Sequence, residues 1–164
     1  MSERIEKLIA EYPTMVRDRK CLAYEIAHFR GVSADEVIES MYTGHQDGER
    51  VQTSTLSDKT AQIAMTYSTR KDEINREWRE QLESKLQEVT DEMNFLEDAI
   101  RSLPKNQSQV MRCLVLEGRT WDDTSYRLHM SRANVGKLRK KAIAELDAIY
   151  EKHDRILTEF MLVA

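Results

Sequence analysis

Asp98-Ala-Ile-Arg-Ser-Leu103-Pro104 opens the stretch that decides the fold. It runs on through Glu117-Gly118-Arg119-Thr120-Trp121-Asp122-Asp123 and His129-Met130-Ser131 to a basic segment ending near Tyr150. Thr120 is a good N-cap, and Asp122 and Asp123 follow it, where carboxylates favour the positive end of a helix. Ser125 is small enough to let two short helices cross closely. His129-Met130 supplies a tight turn, with Met130 turned inward, and Ser131 caps the next helix. Val135, Leu138 and Ala142 then recur at three- and four-residue spacing and mark a buried face. Arg132, Ala133, Gly136, Lys137 and Lys140 fall opposite it. This is the layout of a helix-turn-helix, a motif whose second helix lies in the major groove of DNA.

Charge agrees with that layout. Leu103 to Ala142 carries nine Lys or Arg against three Asp or Glu, a net of +6. The whole chain carries −4, so the remaining residues sum to −10. A basic module on an acidic chain is the electrostatic footprint of a polyanion-binding surface.

The motif also resembles a known family. Ile100-Arg-Ser-Leu103-Pro104-x-x-Gln107-x-x-Val110, the Glu117-Gly118-x-Thr120 turn and the Met130-Ser131…Val135 step resemble region four of sigma-70-family factors. The resemblance covers about the last third of the chain. It implies a compact helical domain that reads promoter DNA and touches RNA polymerase. The chain departs from the pattern at Thr124-Ser125-Tyr126, where Glu-Ile-Ala is common, and at His129, where Gly is common. Nothing upstream resembles the sigma region that melts the promoter. A short chain with one such C-terminal module is similar to phage late-gene transcriptional regulators of the ArpU/RinA kind.

The expected mechanism follows. The helix from Arg132 enters the major groove by its N-terminal end. The expected base contacts are Arg132, Ala133, Gly136 and Lys137. Arg132 and Lys137 donate to guanine O6 and N7, and Ala133 meets a thymine methyl. Gly136 either lets the backbone sit deep or is simply tolerated, at about 1 kcal/mol of helix stability. Asn134 ranks below these. The expected phosphate contacts are Arg112, Arg119, Thr120, Ser131, Arg139, Lys140 and Lys141, which position without specifying sequence.

The function expected is that of a sequence-specific transcription regulator of phage or prophage origin, with double-stranded DNA and RNA polymerase as partners. One alternative is a packaging adaptor resembling phage terminase small subunits, which also join a helix-turn-helix to a helical oligomerisation region. Another is a protein-interaction module in which the motif is only structural. An enzyme is not expected. No His, Cys and carboxylate cluster has metal spacing, no nucleophile sits in a catalytic motif, and no cofactor motif is present. His28 reads as a packed histidine.

Working outward, composition points to an all-α chain. Of 164 residues, 40% are hydrophobic and 33% charged, with only five Gly and two Pro. No apolar run approaches the ~18 residues of a membrane helix, and Met-Ser-Glu-Arg is too polar for a secretory signal. A cytoplasmic location is expected, with Cys21 and Cys113 as two buried free thiols.

Residues 1–43 read as an N-terminal helical segment of three helices. The first, Glu3–Tyr12, is stopped by Pro13; the second, Thr14–Arg30, ends at Gly31. The third starts at Ser33 with Glu36 as a capping box and turns Val37, Ile38 and Met41 inward. Ile26 to Val37 also fits a helix-turn-helix template, but Asp35, Glu36 and Glu39 would repel phosphates, so packing or protein interaction is the expected role. Residues 44–57 read as a polar linker.

Residues 58–97 form a long central helix, whose pattern continues without Pro or Gly to Ser102. From Leu86 its apolar steps are heptad-like, which predicts a coiled coil and a homodimer, or else packing back on the N-terminal helices. The charged residues from Arg70 to Glu80 read as a solvated, salt-bridged surface. Residues 98–164 form the helix-turn-helix domain, with an apolar tail from Ile156 expected to dock on the domain or on a partner chain.

Overall fold

Apolar positions three and four residues apart give each long helix one continuous buried stripe, and this pattern produces an all-α chain. The computed structural model describes residues 2–32 and 56–163, and no strand occurs among them. Helix α1 is Ser2–Ala27 and α2 is Leu56–Ser102. Helix α3 is Lys105–Met111 and runs into a π-helical turn over Arg112–Leu116. Helices α4, Trp121–Arg127, and α5, Arg132–Val163, complete the order. The helix expected from Ser33, and residues 44–55 of the expected linker, lie outside the described residues. Among the described residues no helix is long and apolar enough to cross a membrane.

The chain divides into two compact units, Met1–Lys20 with Glu88–Ala164, and Cys21–Gln87. In the first, Ile5, Leu8, Tyr12 and Met15 of α1 share a core with Met93, Leu96, Ala99 and Ile100 of α2. Met111 and Val115 enter it from α3 and its π turn, and Ala142, Ile143, Leu146 and Tyr150 from α5. Each fully buried Leu, Ile or Met contributes about 1.5–3 kcal/mol. Tyr12 adds a hydrogen bond from its hydroxyl to Glu97 Oε1 at 2.9 Å. Burial and this bond push the Tyr12 hydroxyl up to about 12.

One expectation is corrected in this unit, and one open alternative is met. Pro13 does not stop α1, which runs through it. A proline in a helix interior loses one backbone bond and costs about 3 kcal/mol. Here Ile5 and Leu8 before it, and Tyr12 and Met15 around it, are held in one core, so packing outweighs that cost. The end of the heptad-like seam is also occupied: Met93, Leu96, Ile100 and Leu103 are buried with α1 of their own chain, the second of the two arrangements the pattern allowed.

In the second unit α1 ends at Ala27, and Gly31 adopts a left-handed φ of +75°. The Asn75 side chain lies 2.6 Å from where a Cβ on Gly31 would be, and Asn75 Oδ1 accepts from Val32 N at 2.7 Å. Phe29 meets Trp78 edge-on at 5.7 Å. The salt-bridged surface is present as Arg70–Glu73, Arg76–Glu80 and Arg79–Glu83. Cys21 is exposed rather than buried, because it falls off the apolar stripe of α1, whereas Cys113 is buried as expected. His28 is not packed in a core. It lies one residue past α1, exposed, and stacks on Tyr24 at 4.0 Å.

Candidate nucleic-acid interface

The candidate surface is built by α3, α4 and the first turns of α5. Pro104 precedes α3, where a missing N–H costs nothing, and its carbonyl accepts from Ser108 N at 2.9 Å. The π turn closes with Glu117 N donating to Arg112 O at 2.9 Å. Arg119 N donates to Cys113 O across Gly118, whose φ is +63°. This turn has two buried faces: Met111 and Val115 join the main core, and Val110 and Cys113 are buried outside it. Burial pushes the Cys113 thiol up from its ordinary value.

Helix α4 is capped as its sequence predicts. Thr120 Oγ1 accepts from Asp123 N at 3.2 Å, with Asp122 and Asp123 in the first turn. The turn that follows is fixed by Met130 N donating to Ser125 O at 3.0 Å and by Ser125 Oγ donating to Met130 O at 2.5 Å. Ser125 therefore ties the turn, a role beyond its small size. His129 takes a φ of +51°, the left-handed region glycine adopts without strain. Ser131 caps α5, its Oγ accepting from Asn134 N at 3.2 Å. Thr120 and Ser131 spend their hydroxyl oxygens as caps, and each keeps a hydrogen to donate outward.

The four expected base contacts do not share one face. Val135 is fully buried, so at 100° per residue Ala133 and Lys137 point away from the core together with Lys140. All three are exposed. Arg132 and Gly136 lie on the flank next to α4. Arg132 Nη1 is 3.3 Å from Asp122 Oδ1, and Gly136 lies under the Trp121 ring. A Cβ on Gly136 would sit 3.3 Å from Trp121 Cζ3, so here the bare backbone makes room for an indole.

The expected phosphate contacts also divide. Lys140 and Lys141 are exposed, as is Arg112. Arg119 Nε donates to Glu117 Oε2 at 2.5 Å, and Arg127 approaches the same oxygen at 3.6 Å. That hydrogen bond holds the Glu117 carboxyl below its ordinary value, with Arg127 and Arg112 adding to the effect. Three cations therefore surround one carboxylate, and the cluster remains positive. Arg139 stands apart. It gives both terminal nitrogens to Glu6, at 2.9 and 2.5 Å, and lies 5.9 Å from the centre of the Trp121 ring. Its guanidinium is engaged with α1 and α4 instead of standing free for a phosphate.

Arg127 and Trp121 were not singled out by sequence. Arg127 has a local signal, a cation in the last turn of α4, where it favours the negative helix end. Trp121 has none, since its role depends on the crossing of α4 over Gly136. Among the described residues no group of three or more His, Cys, Asp or Glu is placed to hold a metal ion. Comparison with protein-family models, with curated proteins and with solved structures finds no match to the chain.

Proposed function

We propose that this protein is a sequence-specific DNA-binding transcription regulator that presents the first turns of α5 to the major groove. The observation that carries this reading is the outward face of Ala133, Lys137 and Lys140 on a helix whose opposite face, Val135 and Ala142, is fully buried. A cationic face on an anchored helix keeps its geometry when it meets a polyanion, so its side chains can read base edges. Lys137 and Ala133 serve as the central base contacts, and Arg132 joins them by leaving Asp122. Lys140, Lys141, Arg112 and the Arg119–Arg127 pair hold phosphates on either side. RNA polymerase as a second partner, and a phage source, enter through the resemblance to sigma region four and to phage late-gene regulators.

The test is selection of bound fragments from the source genome, followed by anisotropy at two salt concentrations. A specific site whose affinity falls steeply with salt supports the reading. Lys137→Ala should then cost about 1–3 kcal/mol and relax one base preference, and Lys140→Ala should weaken all sequences and reduce the salt slope by about one. Uniform weak binding would move the weight to a packaging adaptor, and absence of salt-dependent binding to a protein-interaction module.

A further inference from the structure

In the first unit a pocket of about 390 Å³ opens where the start of α1 meets α2 and α5. That volume is in the range that takes a small organic molecule. Its walls include Glu92 and Phe95 of α2, Tyr150 and His153 of α5, and the Arg4–Asp154 pair. Phe95 meets Tyr150 nearly at right angles with ring centres 4.8 Å apart, and its centre lies 4.1 Å from that of the His153 ring. The apolar end of α5 beyond the pocket, Ile156 to Val163, is exposed and not docked on the domain, contrary to one of the two expectations for this tail.

Two observations point to an occupant of the pocket. The first is Tyr150, which is 4% exposed and whose hydroxyl, cut off from water, has no hydrogen-bond partner. Buried hydroxyls are nearly always paired, so an orphan at the wall of a pocket marks a place for a ligand atom. Burial, with the charge of Glu92 adding to it, pushes this hydroxyl above its ordinary value, so it stays protonated and can both donate and accept. The second observation is charge. Asp91, Glu92 and Asp154 set three carboxylates around the pocket against one guanidinium, that of Arg4. Such a field repels an anion and draws in a cation. Arg4 already behaves in this way, lying 5.3 Å from the centre of the Tyr150 ring with its charge balanced by Asp154. Glu92 is the carboxylate that acts most strongly on Tyr150, and it supplies the charge for a second cation.

We propose that this pocket binds a small organic ammonium with an aromatic body, its nitrogen between Glu92 and the Tyr150 hydroxyl and its ring against Phe95 and His153. The ammonium N–H groups donate to the Glu92 carboxylate and to the Tyr150 oxygen, and the charge is further held by the faces of the aromatic walls. The Arg4–Asp154 pair that covers the Tyr150 ring is about half exposed on both sides. Exposed pairs are worth little, so Arg4 can turn aside to open the hydroxyl. Binding at this pocket does not depend on DNA.

The test is isothermal calorimetry of the full chain, without DNA and at neutral pH, with phenethylammonium as the probe. Saturable one-to-one binding is expected. The anion 3-phenylpropanoate, of similar shape and opposite charge, should not bind. The n-butylammonium ion, which offers the charge without a ring, should bind about tenfold more weakly or worse. Glu92→Gln should weaken phenethylammonium about tenfold or more, and because Glu92 is exposed the variant should keep the wild-type circular dichroism. Tyr150→Phe should weaken it several-fold while leaving the free chain at least as stable as wild type in urea, since the deleted hydroxyl has no partner to lose. Absence of saturable binding up to about 10 mM overturns the proposal, as does equal binding of 3-phenylpropanoate or undiminished binding in either variant. A Tyr150→Phe chain less stable than wild type overturns it too, because the hydroxyl then has a partner within the fold. Equal binding of n-butylammonium overturns the aromatic body.

Discussion

Gly136→Ala decides what the missing side chain at this position serves. The added methyl would lie 3.3 Å from Trp121 Cζ3 and 3.9 Å from Cη2. The first distance is tight by a few tenths of an ångström, so the indole must tilt. Trp121 is the first residue of α4 and is 38% exposed, so one side of the ring borders water and can give. Each misplaced atom pair forfeits only ~0.1–0.2 kcal/mol of dispersion. Against this, alanine gains about 1 kcal/mol over glycine inside a helix, largely by restricting the unfolded chain. The variant should therefore be more stable by about 0.5–1 kcal/mol, which for a chain of this size raises the melting temperature by about 2–4 °C per kcal/mol. Urea unfolding followed by far-UV circular dichroism measures it, with an unchanged m value as the sign that only stability moved. DNA affinity should stay within about twofold of wild type, because the methyl points at Trp121 and not outward. A loss of 1 kcal/mol or more in stability would refute the reasoning and mean that Arg139, lying over the indole, pins it in place. A tenfold loss of DNA affinity with stability intact would instead place Gly136 at the DNA.

Three further predictions concern the same surface. Glu6→Gln tests the pairing with Arg139, whose hydrogen bonds hold the Glu6 carboxyl below its ordinary value of 4.5. A carboxyl with a depressed folded-state pKa adds stability above its unfolded pKa and loses it as pH falls through the folded one. Wild type should thus lose its advantage over Glu6→Gln below about pH 5, and the difference should shrink in about 1 M salt because both groups border water. Parallel pH series of melting temperatures would disprove it. Asp122→Asn should release Arg132 and raise DNA affinity several-fold at low salt, with the gain fading as salt rises; equal affinity would mean that Arg132 does not reach DNA. His129→Gly removes a left-handed conformation that costs other residues roughly 1–2 kcal/mol but restores about 0.5–1 kcal/mol of chain entropy. Urea unfolding should show a gain of up to about 1 kcal/mol, and a loss would mean that the imidazole itself supports the turn.

The parts of the fold legible in sequence are those decided within one turn of helix. Thr120 and Ser131 cap because a hydroxyl three residues before a free N–H has one good thing to do, and both are found capping. His129-Met130 reads as a tight turn from its place between two capped helices, and His129 takes a left-handed φ there. Misreadings arose where distant residues outweighed a local rule. Pro13 signals a stop, but the signal is weaker than a core that grips α1 on both sides. Glu6 and Arg139 are 133 positions apart, and no spacing connects them. Arg132 and Lys137 were read as neighbours on one face. That separation is local, unlike the others: the two are five residues apart, so at 3.6 residues per turn they stand about 140° apart around α5, with Arg132 on the flank beside Asp122. Cys21 is different: following the Ile5, Leu8, Tyr12, Met15 stripe onward would have placed it on the outside.

The joint between α1 and α5 explains how one helix can both belong to the core and turn a cationic face to solvent. Glu6 pairs with Arg139 and Arg4 with Asp154, while Ile5 between them is fully buried. Positions 139 and 154 are fifteen residues apart, about 22 Å along α5. The start of α1 therefore grips α5 on both sides of the core stripe Ala142, Ile143, Leu146 and Tyr150. Exposed ion pairs of this kind are worth only about 0–1 kcal/mol each, so they cannot be what holds the helices together. The buried stripe supplies that energy: truncating Leu146 to alanine should cost about 2–5 kcal/mol. What the two pairs add is a constraint on rotation. A helix turns 100° per residue, so a slip of one position would swing Lys137 and Lys140 from solvent toward the flank. Such a slip would also break Glu6–Arg139 and Arg4–Asp154 together. The weak contacts thus select among rotations that the apolar core alone would distinguish less sharply, and the direction in which the cationic face points is fixed from the far end of the chain.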